Sequence, residues 1–520
     1  MSIIENASDA RFFAKKTFRL FRLYNRKHPI LHAPKGWRVA YYRALKNLSG
    51  FATSIDGWNK LFLSMQSLLE LDASVDQYND DDLQHAHKVL KRTYKKKQRG
   101  IFGFVKKPEY LCAYRYHLII EAFAFLLLEE RGQVDIERYL EDISKIFYLN
   151  KRKRAFFTRY FYLLFQKDFS ALLEHVKQAN IKYMSESIMG LTCHIVNAIK
   201  YESLPVFNVA VVATMSAGKS TFVNALLGQE IFPTSNEACT AKITSVYDND
   251  AYKRVVGVAM HGKTLFEASN ELSNEDLKSW NSNKSINRLV LEGNLDNIKN
   301  EQGIIAVHDS PGTNFSGDET HHDITFNFLK ENKMDAIIYV ANATQIATND
   351  EKALLTELYE KIVKLQDIPV IFVLNKADCI DSEKESLEGL VHIFKKSLDS
   401  IGYARGVYGE KACIIPVSAR YARLFKMALS ERIEMLSPKE LIDTKTNLEL
   451  FLENDEIASF HSDMTFEQAG RHAGFEDNGE CVVIRGEDVK KDDIMHSIFN
   501  TGIMAVEVEL SKIAKNSIER

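Results

Sequence analysis

The larger part of the chain is predicted to be an α/β fold. Its expected form is a doubly wound, mostly parallel sheet with helices on both faces, preceded by an all-α helical region. Three observations predict this. First, the apolar run Val206–Val212 is followed by Ala213-Thr214-Met215-Ser216-Ala217-Gly218-Lys219-Ser220 and then by Thr221–Leu227. That is a buried strand, a tight loop ending in Gly-Lys-Ser, and a helix. Second, four further short apolar runs each end in polar residues, which is where ligands sit in doubly wound folds. Third, Gly and Pro are scarce between residues 110 and 200, while long apolar faces recur. That pattern suits a helical bundle.

A chain of 520 residues exceeds what one compact core organises, so several domains are expected. The expected divisions are a basic helical region over 1–105, a helical bundle or neck over 106–202, and the α/β domain over 203–520. The formal net charge of -3 conceals an asymmetry. Residues 1–200 carry 34 Lys and Arg against 20 Asp and Glu, whereas residues 201–520 carry 33 against 50. The N-terminal part is therefore basic and the α/β part acidic. Six cysteines lie far apart with no Cys-x-x-Cys, which suits free thiols in a reducing cytoplasm. Residues Met1–Glu5 show no start of a signal peptide, and the apolar stretch Ile119–Leu128 is too short to span a bilayer. The expected location is cytoplasmic, with peripheral attachment to a membrane as the alternative.

Residues 11–46 hold eleven basic residues and no acidic one. Within Phe12–Arg26, Lys15, Arg19, Arg22 and Arg26 recur at i, i+4, i+7 and i+11, opposite Phe13, Leu20, Phe21 and Tyr24. The pattern predicts an amphipathic basic helix. Two readings stand side by side: contact with an anionic membrane or nucleic acid, or an aromatic face packed on the protein with a solvated basic stripe. His28-Pro29 and Ala33-Pro34 break this helix. Further helices are expected over 55–95 and 113–200, with basic clusters at Lys88–Lys107 and Lys151–Arg154.

The Gly-Lys-Ser loop is a phosphate cradle. Backbone N–H groups and the positive end of the following helix, closed by Gly228, face the phosphates. Ala217, Gly218 and Thr221 supply main chain, Lys219 brings a point charge to the β and γ oxygens, and Ser220 offers a hydroxyl to Mg²⁺. Ala213 stands where such loops usually begin with glycine. The run Ile304–Val307 leads into His308-Asp309-Ser310-Pro311-Gly312. Asp309 can hold Mg²⁺ through water, and the Gly312 N–H can reach a γ-phosphate. Between these motifs a threonine must close over the metal; Thr240 is chosen, with Thr234 and Thr244 as lesser candidates. Cys239 beside it is read as a bystander thiol, with a redox handle as the alternative.

Ala336–Val340 reads as a plain buried strand. Val370–Leu374 runs into Asn375-Lys376-Ala377-Asp378, and Cys413–Val417 into Ser418-Ala419. The Asn-Lys-x-Asp element selects the base. Asp378 can accept from guanine N1–H and the 2-amino group, whereas adenine would leave that carboxylate desolvated and unpaired. Asn375 can brace the loop, the Lys376 stem can cover the ring, and the Ala419 N–H can meet guanine O6. GTP is thus the expected substrate with Mg²⁺ as cofactor, and the motif order is that of a P-loop GTPase.

The stretch Ala213–Gly228, the Pro233…Thr240-Ala241 segment, Asp309–Asn314 and Ala343–Glu351 together resemble the GTPase domain of the dynamin superfamily, bacterial dynamin-like proteins in particular. The long interval from Gly218 to Asp309, with its extra polar region at 262–300, is similar to the enlarged dynamin-type domain. Asn500–Val506 followed by Leu510 resembles the helix that closes that domain. The resemblance, over roughly residues 203–520, implies weak GTP binding, dimerisation across the nucleotide that stimulates hydrolysis, and often membrane remodelling. It implies Lys219, Ser216 and Thr240 as catalytic residues and Asp350 as a contact across the dimer. It also implies a polar glutamine where this chain has Met215, a side chain that cannot orient water by hydrogen bonding. The long helical stalk of such proteins is not apparent before Arg520. A fragment, a partner protein that supplies the arm, or substitution by the N-terminal helices are the open alternatives. The rival reading is a GTP-gated module with slow turnover whose basic region docks to a protein, nucleic acid or membrane.

Overall fold

The computed structural model describes residues 18, 22, 29–49, 66, 69–81, 83–86, 109–128, 136–147, 149–178, 185–232, 242–252, 254–262, 264–296, 298, 303–310, 319–381, 385–403, 413–460 and 464–518. These residues fall into two compact units, one within Lys15–Ser203 and one over Leu204–Arg520.

The first unit is helical. It contains α1 (Lys35–Ser49), α2 (Glu109–Leu128), α3 (Ile136–Phe147), α4 (Lys151–Phe165), α5 (Phe169–Lys177) and α6 (Ser185–Ser203). Aromatic rings fill its core: Phe123 stacks on Phe161 with centroids 4.1 Å apart, and Phe157 and Tyr139 pack around them. Two buried tyrosine hydroxyls find partners, Tyr41 on Glu121 at 2.6 Å and Tyr160 with Thr192 at 2.9 Å. Asn150 caps α4 by accepting from the Lys153 N–H. No helix of the described residues is long and apolar enough to cross a membrane.

The basic helix expected over 12–26 lies outside the described residues except at Phe18 and Arg22, and both are buried. Arg22 pairs with Glu202 at 3.1 Å and lies over the Tyr201 ring. It therefore does not belong to a solvated stripe, because its charge is neutralised inside the unit.

The second unit is built on a nine-stranded sheet. Its strands are β1 (Val206–Ala213), β2 (Ile243–Asp248), β3 (Val256–His261), β4 (Thr264–Ser269), β5 (Arg288–Gly293), β6 (Ile304–Asp309), β7 (Ala336–Asn342), β8 (Val370–Asn375) and β9 (Cys413–Val417). Their order is β4-β3-β5-β2-β6-β1-β7-β8-β9. The half from β6 to β9 is wholly parallel. The other half is mixed: β2 runs antiparallel to β6 and parallel to β5, and β3 antiparallel to both β5 and β4. The five strands read from sequence are present. The region 262–300, read as polar, contributes β4 and β5 to the sheet. Neither strand is a continuous apolar run: β4 is partly exposed, and β5 buries Arg288 and Glu292.

The helix α7 (Lys219–Leu227) follows β1, and Gly228 ends it in the left-handed conformation. Later come α8 (Asn274–Ser282), α9 (Glu319–Glu331), α10 (Asn349–Leu358), α11 (Leu387–Ile401), α12 (Ala419–Leu429) and α13 (Pro438–Glu453). Ser437 begins α13 with a capping box and Pro438 in its first turn. A short hairpin over 481–490 precedes Lys491–Asn500 and the closing helix Ile503–Ile518. Gly502, at φ 80°, lets the chain turn against the Pro416 carbonyl, where any side chain would collide.

Candidate functional site

The C-terminal ends of β1, β6, β8 and β9 converge on the loop before α7. Gly218 caps α7 without a side chain, so no side chain takes the first-turn N–H groups. Gly218 (φ 86°) and Ser216 (φ 63°) are both left-handed, which turns the loop sharply between strand and helix. A side chain at position 218 would collide with Asn375 Nδ2.

That near collision is a brace. Asn375 Nδ2 donates to the Ala217 carbonyl at 2.9 Å, and Asn375 Oδ1 accepts from the Ala419 N–H at 3.2 Å. One buried amide thus joins the loops after β1, β8 and β9. Lys376, itself left-handed at φ 64°, donates from Nζ to the Ser216 carbonyl at 2.9 Å. The Ala419 N–H, expected to meet guanine O6, is instead held by Asn375. Ser418 is fully buried, and its Oγ has no hydrogen-bond partner among the described residues. Asp378 is half-buried beside these loops and accepts from the Cys379 thiol at 3.4 Å. Burial, with the Asp378 charge, pushes that thiol up to about 11, so it stays protonated at neutral pH.

The other end of the arrangement, at Lys219, is different in kind. The Lys219 ammonium is buried and paired with Asp309 Oδ1, and Asp309 is wholly inside. Ser220 is half-buried in the first turn of α7. On β6, His308 precedes Asp309. Its Nε2 contacts Asn208 Oδ1 on β1 at 3.1 Å and its Nδ1 contacts Ser245 Oγ on β2 at 2.9 Å. Burial, with the Arg288 charge, holds the imidazole down to about 3, so it is neutral. The Asn208 carbonyl then assigns the proton to Nε2, and Ser245 donates to Nδ1. His308 therefore locks β6 between its neighbours one residue before Asp309.

The far end of α7 is clamped by cations. Arg432 Nη1 donates to the Leu227 and Gly228 carbonyls at 3.0 and 2.9 Å and pairs with Asp296. Lys426 pairs with Glu507 deep in the unit and reaches the Leu226 carbonyl at 3.5 Å. Positive charge at a helix C-terminus complements its dipole. A tertiary clamp of this kind leaves no local pattern, and sequence reasoning missed it.

A loop after β7 flanks the Asn375 brace. The Ala343 N–H donates to the Asn375 carbonyl at 2.8 Å. Glu351 on α10 is buried, and its Oε2 accepts from the Ala347 N–H at 2.7 Å. Burial raises this carboxyl to about 7. Asp350 is exposed at the start of α10.

Lys219, Ser220, Asp309, Asn375, Lys376, Asp378, Ser418 and Ala419 are thus gathered at one end of the sheet. Thr240, Thr234, Cys239 and Gly312 lie outside the described residues. Residues 209–377 match the sequence profile of the dynamin family.

Residues 209–377 belong to a dynamin-superfamily domain with the fold of a P-loop GTPase.

Several curated proteins are similar to the chain. A bacterial dynamin-like protein of Nostoc punctiforme is 29% identical over 194 residues, 35% of this chain and 26% of that protein. Dynamin-like protein 1 of Campylobacter jejuni is 24% identical over 273 residues, 45% of this chain and 35% of that one. An uncharacterised protein of a Caldicellulosiruptor strain is 24% identical over 291 residues, 54% of this chain and 65% of that protein. The chain therefore spans less than two thirds of the length of each of these relatives. Among solved structures, an oligomerised bacterial dynamin pair is 18% identical, with a TM-score of 0.32, covering 86% of this chain and 62% of that one. Era of Aquifex aeolicus bound to GDP and AlF4⁻ is 23% identical, with a TM-score of 0.24, covering 42% and 52%.

Proposed function

We propose that this chain binds GTP through its dynamin-superfamily domain, hydrolyses it with Mg²⁺, and uses the nucleotide state to control dimerisation or assembly. The observation that carries this reading is the Asn375 brace, which ties the guanine-selecting loop to the phosphate loop through Ala217 and Ala419. A site built this way reads base and phosphate as one ligand.

In this reading Ala217, Gly218 and Thr221 offer main-chain N–H groups to the phosphates, and Lys219 stabilises charge on the β and γ oxygens. Gly312 senses the γ-phosphate, and Ser216 orders the loop through its left-handed turn. Asp378 selects guanine, and the Lys376 stem lies over the base. The donor set fits Mg²⁺, which prefers oxygen ligands: Ser220 and Thr240 supply hydroxyls, and the buried Asp309 supplies a carboxylate. Bound Mg²⁺ would neutralise charge developing between the β- and γ-phosphates.

The alternative is a GTP-gated module with slow turnover. Met215 favours it: this loop side chain is 46% exposed, and its thioether is a poor partner for an attacking water. The docking surface would lie in the basic helical unit, where α4 exposes Lys151, Arg152, Arg154 and Arg159. Their chemistry suits an anionic membrane or nucleic acid.

GTP hydrolysis measured against protein concentration, with and without anionic liposomes, separates the two readings. A specific rate that climbs with concentration supports a self-assembling GTPase, and a further rise on liposomes places that assembly on membranes. A flat, slow rate that Met215→Gln accelerates favours the gated module.

A further inference from the structure

The antiparallel pairing of β2 with β6 sets Thr244 opposite Asp309 and Ser245 opposite His308. Directly paired residues project to the same side of a sheet, with Cβ atoms about 5 Å apart. Successive pairs project to opposite sides. The Ser245–His308 pair closes its own hydrogen bond at 2.9 Å. The Thr244–Asp309 pair lies on the other side, where Lys219 meets Asp309. Thr244 is fully buried, and its Oγ1 has no hydrogen-bond partner among the described residues.

A buried hydroxyl without a partner is costly and calls for an explanation. Its neighbour here is a carboxylate that accepts at about four lone-pair positions. Another staggered χ1 well of the threonine would turn the hydroxyl toward such a neighbour. The Lys219 ammonium now faces this carboxylate, and phosphates in the loop would compete for it. A buried carboxylate is stabilised by each further donor it accepts from, and a shift of Lys219 toward phosphates would open one of its lone pairs to such a donor.

We propose that Thr244 is a positioning residue whose hydroxyl donates to the Asp309 carboxylate when the phosphates draw Lys219 away. The hydroxyl then fixes the carboxylate for the metal-bound nucleotide, so Thr244 governs how tightly Mg²⁺ is retained. This rests on the guanine-nucleotide reading above.

The test follows mant-GDP fluorescence on the full chain while MgCl2 is titrated, for wild type, Thr244→Val and Thr244→Ser. Valine keeps the branched shape and deletes the hydroxyl; serine keeps the hydroxyl. Thr244→Val is expected to need about tenfold more MgCl2 for half-maximal retention, the loss of one hydrogen bond to a charged group. Thr244→Ser is expected to match wild type. Without nucleotide, the Tm of Thr244→Val should equal or exceed that of wild type, because an unpaired buried hydroxyl has been removed. A Thr244→Val titration that overlays wild type overturns the proposal and leaves the nucleotide reading standing. A drop in both Tm and retention assigns Thr244 a structural role and also overturns it. Wild type that fails to bind mant-GDP at any MgCl2 concentration removes both.

Discussion

The two ends of the cleft are organised by different physics. At the base end, uncharged hydrogen bonds join four loops, those after β1, β7, β8 and β9: Asn375 to Ala217 and Ala419, and Ala343 to Asn375. At the phosphate end, the groups that would meet the nucleotide are charged and paired with each other, Lys219 with Asp309. The first arrangement is held by hydrogen bonds that form without a ligand. The second consists of buried charges which, in the proposed reading, would exchange partners when phosphates arrive, so that this end would report nucleotide state.

The contrast can be broken from either side. The largest effect is expected at the phosphate end: Lys219→Ala should lower GTP turnover about a hundredfold or more, because it removes a donor aimed at developing charge. Turnover unchanged in that variant would refute the enzyme assignment. At the base end, Asn375→Ala strands the Ala419 N–H and the Ala217 carbonyl. Affinity for GTP and for GDP should fall together by about tenfold, read by mant-nucleotide titration. A loss confined to GTP would mean that the brace serves the γ-phosphate instead.

The smallest effect concerns Glu351, whose carboxyl titrates near 7 in the folded protein against 4.5 ordinarily. Between those values the folded state keeps a proton that the unfolded chain has released. Stability from this group is therefore full below pH 4.5 and is lost as pH rises through 7. Glu351→Gln keeps an acceptor for the Ala347 N–H without the charge. Its Tm should fall less than that of wild type between pH 5 and pH 8, by about 2–4 °C in differential scanning fluorimetry. Parallel pH profiles would show that the carboxyl is not held protonated.

Much of the cleft was legible in the sequence because its residues are bound to local geometry. Gly218, Lys219 and Ser220 must follow a strand and open a helix, and Asn375 and Asp378 must follow another strand. What stayed hidden depends on pairing across the fold. Thr244 is one threonine among several until β2 meets β6 and sets it against Asp309. The strands β4 and β5 look polar in the sequence, and in β5 the charged Arg288 and Glu292 are nevertheless buried. Arg22 sits in a basic periodicity, yet it pairs with Glu202 inside the helical unit, a contact between residues far apart in the chain. The Lys426–Glu507 and Arg432–Asp296 clamps on α7 are of the same long-range kind.

The central claim is that one pre-organised cleft selects guanine through Asp378. The most direct test is binding of GTP and xanthosine triphosphate to wild type and to Asp378→Asn. Wild type should prefer GTP, and the variant should lose GTP by about a hundredfold while gaining xanthosine triphosphate, because the amide matches the extra carbonyl of xanthine. An Asp378→Asn protein that still binds GTP as tightly as wild type, with no gain for xanthosine triphosphate, would contradict the account.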